Sequence, residues 1–383
     1  MRINSLSLEQ YRNIARCEIR PGEGVNLIVG DNGMGKTSMM EAIWLLTGAR
    51  SFRSGREGDF IRWELDRETQ RSRVAARVWT EGREQELEYI LWPRRQARIN
   101  GIAEPGRSAF SGKLCCMVFS PTHLALVEGG PAERRDFLDS AIGQLRPQYG
   151  KVLSDYNRAL AQRGTLLREA ARNRSKLDLL PVFDYHIARL GSLILVTRQS
   201  YLRRFGEYAA GFHQGISSGK EEITVQYAVG GAGAGVLDPS MSREELEEAL
   251  LGLLEQGREE DIRLGSTGVG PHRDDLELLL MGRSARIYGS RGQQRSIVLS
   301  LKLAECEMIA DTMHSQPVVL LDDVMSELDH SRKEYLLRRL TGRQVFITAC
   351  DDSLLWETGG AEVFAVRDGE FFPGGFPMTE EEG

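Results

Sequence analysis

A glycine-rich loop of eight residues constrains the fold of this chain more than any other feature. Its sequence, Gly30-Asp31-Asn32-Gly33-Met34-Gly35-Lys36-Thr37, fits the pattern G-x-x-x-x-G-K-[ST]. The loop follows a short apolar run, residues 25–29, that is typical of a buried strand. It precedes an amphipathic segment, residues 36–46, that predicts a helix. A strand, this loop and a helix in that order predict a binding site for nucleotide phosphates.

The residue types in this loop have distinct chemical roles. Glycines let backbone N–H groups approach phosphate oxygens, and the N-terminus of the following helix attracts anions. We predict that Lys36 neutralises the β- and γ-phosphate oxygens of ATP during catalysis, and that the Thr37 hydroxyl coordinates Mg²⁺. The predicted nucleotide-binding residues are Gly30, Asp31, Asn32, Gly33, Met34, Gly35, Lys36, Thr37 and Ser38.

A second apolar run ends in two carboxylates. Residues 318–321 predict a buried strand, and Asp322 and Asp323 follow it directly. We predict that Asp322 holds Mg²⁺ through water and that Asp323 orients or deprotonates the water that attacks the γ-phosphate. The alternative is two solvated carboxylates in a turn, which the phosphate-binding loop in the same chain disfavours.

Further blocks resemble a known family of proteins. Gly289-Ser290-Arg291-Gly292-Gln293-Gln294-Arg295, ahead of a predicted helix, resembles the ABC signature motif, and Ser326-Glu327-Leu328-Asp329 resembles the D-loop of the same class. Five more blocks belong to the same pattern: Tyr11-Arg12-Asn13, Val118-Phe119-Ser120-Pro121, Gly130-Pro131, Arg134-Arg135-Asp136-Phe137-Leu138-Asp139 and Gly270-Pro271-His272-Arg273-Asp274-Asp275-Leu276. With all of these blocks, the chain resembles the RecF family of bacterial recombination mediators from residue 2 to a predicted hairpin near residue 372.

The resemblance implies an α/β fold: an ABC-type ATPase head with a mixed β-sheet and a P-loop, related to SMC heads and interrupted by a mostly helical insertion. It also implies that two heads dimerise face to face on ATP. Ser290, Arg291, Gly292 and Gln293 of one head would then contact the nucleotide bound to the other. A helix N-terminus with a hydroxyl suits an anion; the alternative for Ser290 is a simple N-cap.

The resemblance implies a function in recombinational DNA repair and replication and in the SOS response. The chain would bind double-stranded DNA and single-strand/double-strand junctions, help to load recombinase with RecO and RecR, and hydrolyse ATP weakly under stimulation by DNA. Two other classes are weighed against it. An ABC transporter subunit is disfavoured because the signature lacks Leu-Ser-Gly-Gly-Gln, and an SMC-like tether because the insertion is too short for a long coiled coil at about 1.5 Å per residue.

Two departures from the usual ABC pattern affect the expected rate. The segment Val118-Phe119-Ser120-Pro121-Thr122-His123 has no Q-loop glutamine, and Ser120 stands nearest to its place. The switch histidine is replaced by Thr348, which we therefore predict to be a catalytic sensor of the γ-phosphate. Both losses predict slow hydrolysis, suited to a switch rather than a motor.

The hydrophobic pattern changes twice along the chain. Short strands dominate the first hundred residues, long apolar helical stripes begin near residue 131, and alternating strands and helices return after Gly270. We predict an ATPase domain made of residues 1–130 and 265–383, and a helical insertion domain of residues 131–264. The stripe along residues 183–212 is predicted to be core.

The distribution of charge bears on a nucleic-acid partner. The chain has 49 Lys and Arg against 55 Asp and Glu, a net charge of −6, yet salt limits the range of charge to about 8 Å. Residues 146–206 carry 12 basic and 4 acidic side chains, which favours local contact with DNA phosphates. A solvated helix face is the alternative. The candidate DNA-binding residues are Arg158, Arg163, Arg168, Arg172 and Lys176.

Cysteine usage and hydropathy indicate the compartment. The five cysteines show no Cys-x-x-Cys spacing, which predicts reduced thiols rather than disulfides or a zinc site. The sequence has no charged leader ahead of an apolar stretch and no apolar run of about 18 residues. We therefore expect a cytoplasmic protein without a membrane span.

Overall fold

The structure is a computed structural model that describes residues 1–53, 57–66, 68–170, 174–238, 240–350 and 360–374. The chain forms two compact units, one of Met1–His123 with Glu305–Gly383 and the other of Leu124–Ala304. The predicted ATPase domain included residues 265–304, which cluster instead with the second unit. These residues belong there because residues 275–280 form a strand that pairs with residues 223–228.

Among its described residues, the first unit contains two six-stranded sheets. The strands of the first sheet are β1 (Arg2–Tyr11), β2 (Ile14–Ile19), β4 (Ser72–Thr80), β5 (Arg83–Trp92), β6 (Gln96–Ile99) and β7 (Ile102–Glu104). The strands of the second sheet are β3 (Val25–Val29), β8 (Cys116–Phe119), β12 (Val318–Leu321), β13 (Val345–Ala349), β14 (Glu362–Arg367) and β15 (Glu370–Pro373). The first sheet has the strand order β2-β1-β4-β5-β6-β7, and all of its strands pair antiparallel. The second sheet has the strand order β15-β14-β3-β13-β12-β8 and contains both parallel and antiparallel pairs.

The second sheet brings the predicted motifs to one edge. Strand β3 pairs in parallel with β13 and β14, and β12 pairs in parallel with β13 and β8. The glycine-rich loop after β3 and the two carboxylates after β12 therefore leave the sheet at the same edge. Helix α1 (Lys36–Leu45) follows the loop.

Helix α1 differs from its prediction in one respect. The sequence pattern indicated an amphipathic helix, whereas all but one of its residues are buried. The physical reason is that α1 contacts β1 and β4 of the first sheet and β13 of the second, so that both of its faces meet apolar strands. Met39, Ile43 and Leu45 accordingly belong to the core.

The second unit is mostly helical, as predicted for the insertion. Helix α5 packs against α4 and α6. Five residues of the predicted apolar stripe are buried and its other four are partly buried; the buried ones are Ile187, Ile194, Tyr201, Phe205 and Phe212. The elements that begin in this unit are α2 (Ala125–Glu128), α3 (Pro131–Leu145), α4 (Pro147–Ala170), α5 (Leu180–Ile216), β9 (Ile223–Ala228), α6 (Arg243–Gln256), α7 (Arg258–Leu264), β10 (Asp275–Leu280), β11 (Arg283–Ser284), α8 (Ala285–Tyr288) and α9 (Arg291–Met313). Helix α10 (His330–Arg339) lies in the first unit.

Helix α5 is long and apolar enough to cross a membrane by length and composition alone, and no other helix in the described ranges passes that test. It contains the buried ionised side chains of Asp184 and Arg198, both paired within the unit. It also contacts α4, α6 and β9. These contacts are those of a core helix in a folded unit.

Candidate functional site

Two glycines allow the loop after β3 to adopt its path. A Cβ atom at Gly30 would lie 2.3 Å from the carbonyl oxygen of Val366, so only glycine fits there. Gly35 has a φ of +117°, a conformation that side chains disfavour. The Lys36 ammonium donates to the carbonyl oxygens of Gly30 and Asp31, so it lies folded over the loop.

Asn13 ties the middle of this loop to the first turn of helix α1. Its Nδ2 donates to the carbonyl oxygen of Gly33 at 2.6 Å, and its Oδ1 accepts from the Ser38 hydroxyl at 2.8 Å. Beside it, the Arg12 guanidinium donates twice to the fully buried carboxylate of Glu41, at 2.7 and 2.8 Å. The Tyr11-Arg12-Asn13 block therefore braces the loop and the helix that follows it.

The structure brings together residues from three separate motifs. The Thr37 hydroxyl lies 3.0 Å from Asp322 Oδ1, to which it donates. The Thr348 hydroxyl also donates to Asp322 Oδ1, at 3.1 Å, and it accepts from the backbone N–H of Asp323 at 2.8 Å. Thr348, on β13, thus holds both carboxylate residues in place, while its contact with a γ-phosphate stays a prediction.

The surroundings of Asp322 suit a cation. Burial raises the pKa of Asp322 above its usual value and the neighbouring Asp323 raises it further, whereas hydrogen bonds from Thr37 and Thr348 lower it. A divalent cation would favour the ionised carboxylate. Mg²⁺ binds few protein oxygens and keeps several waters, so a threonine hydroxyl and one carboxylate fit it.

Asp323 has an unusual backbone conformation. Its φ is +53°, in the left-handed region that Asp and Asn adopt more readily than most residues. It lines a cleft of about 650 Å³, a volume in the usual range for a small-molecule site. The other lining residues are Arg12, Asn13, Asn32, Gly33, Gly35, Lys36, Thr37, Ser38, Arg53, Gly58, Asp59, Ile61, Arg62 and Trp63.

The cleft includes residues that were not predicted and leaves out some that were. The predicted residues Gly30, Asp31 and Met34 belong to the loop but do not line the cleft. The wall formed by residues 58–63 was not predicted, because it carries no recognisable motif. Ser120, nearest to the place of the missing glutamine, is buried and bonded to Thr122 and His123, so it too lies outside the cleft.

The signature-like motif lies in the second unit, at the start of α9. The Ser290 N–H donates to Gln293 Oε1 at 2.8 Å, and the Gln293 N–H donates to the Ser290 hydroxyl at 3.3 Å. This reciprocal cap matches the alternative considered for Ser290 and holds the first turn of the helix. Ser290 and Arg291 are exposed, and Gly292 and Gln293 are partly so.

Comparison with known proteins decides the family. Residues 2–101 match the family described as the RecF/RecN/SMC N-terminal domain. The chain is 37% identical over 372 residues to the DNA replication and repair protein RecF of Pelotomaculum thermopropionicum, and the match covers 97% of this chain and 100% of that protein. The chain belongs to the RecF family. This confirms the resemblance on which the predicted fold depended.

The RecF assignment extends to three dimensions. A solved structure of the recombination mediator protein RecF-ATPrS in the RecFOR pathway is 31% identical, with a TM-score of 0.88 and coverage of 97% of this chain and 98% of that one. An Smc head domain from Pyrococcus furiosus, bound to the C-terminal domain of ScpA, is 16% identical, with a TM-score of 0.53 and coverage of 97% and 95%. The predicted ABC-type ATPase head with a helical insertion is confirmed.

The Gly-Pro-His-Arg-Asp-Asp-Leu block of the RecF-family sequence is structural here. His272 Nδ1 lies 2.7 Å from the Tyr156 hydroxyl, and its Nε2 lies 3.1 Å from the carbonyl oxygen of Thr267. Asp275 forms two hydrogen bonds with the largely buried guanidinium of Arg134. The block therefore binds the second unit together, which accounts for residues that have no place in the nucleotide cleft.

The His272 environment predicts a pH-dependent stability. The pKa of His272 is lowered from 6.5 to about 4, chiefly by burial; a hydrogen bond to the Thr267 carbonyl opposes this shift, and the charges of Arg273 and Arg135 add to it. Between pH 6.5 and about 4, His272 binds a proton in the unfolded chain but not in the folded chain. The stabilisation present above pH 6.5 is therefore lost as the pH falls towards 4. Urea unfolding should show the parent losing about 1–3 kcal/mol more than His272→Gln between pH 7 and 4.5. Equal pH slopes for the two proteins would contradict this assignment.

The predicted DNA-binding residues differ in their exposure to solvent. The prediction that Arg163 contacts DNA was wrong: its side chain is 0% exposed and pairs with Asp184 at 2.7 Å and with Asp261 at 2.6 Å. Arg158 is 68% exposed and lies 3.4 Å from Asp155, while Arg168 is exposed and donates to the carbonyl oxygen of Gly265. Arg172 and the side chain of Lys176 lie outside the described residues.

Proposed function

We propose that this chain is an ATP-dependent DNA-binding protein of recombinational repair and replication, and that its ATP-bound homodimer acts at single-strand/double-strand junctions. In this role it helps to load recombinase together with RecO and RecR, and it works in the cytoplasm. The observation that carries the proposal is the convergence of Thr37, Asp322, Asp323 and Thr348 at one edge of the sheet, beside a cleft. The RecF-ATPrS structure, 31% identical, supports ATP as the ligand.

Five residues in or beside the cleft have distinct roles in slow hydrolysis. Lys36 leaves the loop carbonyls that it now contacts and binds the β- and γ-phosphate oxygens. Mg²⁺, held by Thr37 and by Asp322 through water, would neutralise charge on the phosphates. Asp323 accepts a hydrogen bond from the attacking water and takes its proton as the water oxygen bonds to the γ-phosphorus; the bond from that phosphorus to the β–γ bridging oxygen breaks, and ADP leaves. Thr348 keeps the backbone of Asp323 in position throughout.

The proposed dimer completes this site. The exposed signature-like motif of each copy presents a helix N-terminus and the Ser290 hydroxyl, which together attract an anion. In the dimer they contact the γ-phosphate held by the partner copy. Dimerisation also places two cationic surfaces side by side, which raises the effective concentration for a second contact with DNA.

The test measures the molecular mass of the protein in solution and its affinity for DNA. In Mg-ATP, Asp323→Asn should have twice the mass of the parent without nucleotide by light scattering, because ATP stays bound. Ser290→Arg should stay monomeric and should bind gapped DNA more weakly in Mg-ATP. A monomeric Asp323→Asn in Mg-ATP would refute the dimer, and parent-like DNA affinity of Ser290→Arg would refute the coupling of DNA binding to dimerisation.

The same DNA-binding assay tests the candidate DNA-binding residue Arg168. Arg168→Glu should weaken DNA binding and flatten its salt dependence while ATP affinity stays unchanged, because a lost phosphate contact releases fewer counterions. Arg263→Glu is the matched control: Arg263 is 69% exposed, is not one of the candidate DNA-binding residues and pairs with Glu260. An equal loss in both variants would show that only overall charge matters.

A further inference from the structure

Glu221 lies in the loop between α5 and β9, outside every motif described above. We propose that Glu221 is a positioning residue for the signature-like motif: it fixes the orientation of the Gln293 amide, which in turn fixes Ser290. The inference rests on the proposed function, because Ser290 matters to catalysis only if it meets a nucleotide held by a second copy.

The Gln293 side chain bonds in two directions. Its Oε1 accepts from the Ser290 N–H at 2.8 Å, and its Nε2 donates to Glu221 Oε1 at 2.8 Å. A carboxylate only accepts hydrogen bonds, so it selects the nitrogen end of the amide. Glu221 therefore determines that the oxygen end of Gln293 faces Ser290. In the flipped amide, the Nε2 hydrogens would oppose the Ser290 N–H, and the cap would be lost.

Glu221 is itself held from the other side. Its Oε2 lies 3.2 Å from Nε2 of His213, a fully buried ring in the last turns of α5. The other ring nitrogen of His213, Nδ1, lies 3.3 Å from the Ser300 hydroxyl on α9. The carboxylate thus has a defined partner on each oxygen, and its side chain is 24% exposed.

The contacts of Glu221 also determine where its negative charge is directed. A free carboxylate close to a motif that receives phosphate would repel it. Here both carboxylate oxygens are directed to an amide and an imidazole, and the Ser290 hydroxyl, which accepts from the Gln293 N–H, keeps its own hydrogen available for a phosphate oxygen. Glu221 acts through Gln293 and need not touch the nucleotide.

The experiment compares three variants of the full chain. Glu221→Ala should weaken the ATP-driven dimer about tenfold and lower turnover by a similar factor, in line with the loss of one hydrogen bond to a charged group. Its affinity for ATP as a monomer should not change, because the cleft lies in the other unit. Glu221→Gln should restore most of the dimer, because its oxygen can accept from Gln293 and its nitrogen can donate to His213. Glu222→Ala removes an exposed carboxylate one residue away and should behave as the parent.

The possible outcomes separate the two proposals. A parent protein that stays monomeric in Mg-ATP overturns the proposed function and this inference together. A parent that dimerises, with Glu221→Ala equal to it in dimerisation and turnover, overturns the inference alone. An effect of Glu222→Ala equal to that of Glu221→Ala would reduce the result to net charge and also overturn it. If Glu221→Ala does not fold, Gln293→Ala removes the same contact from its other end, and parent-like dimerisation of that variant overturns the proposal.

Discussion

Asp323→Asn should lower ATP turnover by about 10²–10⁴-fold and leave ATP binding intact, because removing a general base does not remove a phosphate contact. Asn is well suited to the test, since the φ of +53° at this position is tolerated by Asn as readily as by Asp. The Asp323 N–H that donates to Thr348 is also retained. Single-turnover hydrolysis and equilibrium binding of a fluorescent ATP analogue measure the two effects separately.

The neighbouring carboxylate provides the contrast. Asp322→Asn should weaken Mg²⁺-dependent ATP binding, because Asp322 is the carboxylate placed beside Thr37. Lys36→Met should abolish hydrolysis and weaken binding through the lost counter-charge, whereas Lys36→Arg should abolish hydrolysis with the charge preserved. An equal loss of ATP affinity in Asp322→Asn and Asp323→Asn would show that the roles of the two carboxylates are wrongly assigned.

Arg163→Ala should lower the free energy of unfolding by about 3–5 kcal/mol, because it leaves buried carboxylates without their partner. Arg163 donates to Asp184 and Asp261, and also to the Thr267 hydroxyl at 2.9 Å. Arg258 remains beside Asp184, so the larger part of the cost falls on Asp261. Urea unfolding followed by circular dichroism measures the loss.

Two neighbouring arginines on the same helix are the controls. Arg158→Ala and Arg168→Ala remove exposed side chains and should cost less than about 1 kcal/mol. If Arg163→Ala proved as stable as Arg158→Ala, the buried charge network would contribute little to the fold. A parent-like DNA affinity of any Arg163 variant that remains folded would agree with its removal from the DNA-binding surface.

Local patterns predicted several residues that the structure brings together at the cleft, while their chemical roles stay predictions. The loop from Gly30 to Thr37 and the pair Asp322–Asp323 could be recognised because phosphate and Mg²⁺ chemistry requires particular residue types at fixed spacing. Their meeting at one sheet edge depends on the parallel pairing of β3, β13 and β12, which the structure shows. At the start of α6 the Glu245 N–H donates to the Ser242 hydroxyl and the Ser242 N–H donates to the Glu245 carboxylate. This capping box is recognisable in the sequence for the same reason, since all of its atoms lie within one helical turn.

The misassigned arginine shows what charge counting omits. Arg158, Arg163 and Arg168 recur every five residues, and each such step turns a side chain by about 140° around a helix. The three therefore cannot all line one face, and charge counting does not show which of them points towards the core. Glu41 and Glu221 were missed for another reason: their partners are distant in sequence, and a single charged residue near an apolar run does not reveal which cation or amide will meet it.

The position of β3 between β13 and β14 has a consequence for how the protein is made. A ribosome must synthesise more than 300 residues after β3 before either neighbouring strand exists. At about 5–20 residues per second, the apolar strand next to the glycine-rich loop waits tens of seconds with both edges unpaired. The second unit is continuous in sequence and can collapse during that interval, whereas the first cannot finish its sheet until β14 has emerged. Such non-local pairing slows folding and exposes strand edges to aggregation, so the nucleotide-binding unit should be the part of a nascent chain that most needs a chaperone.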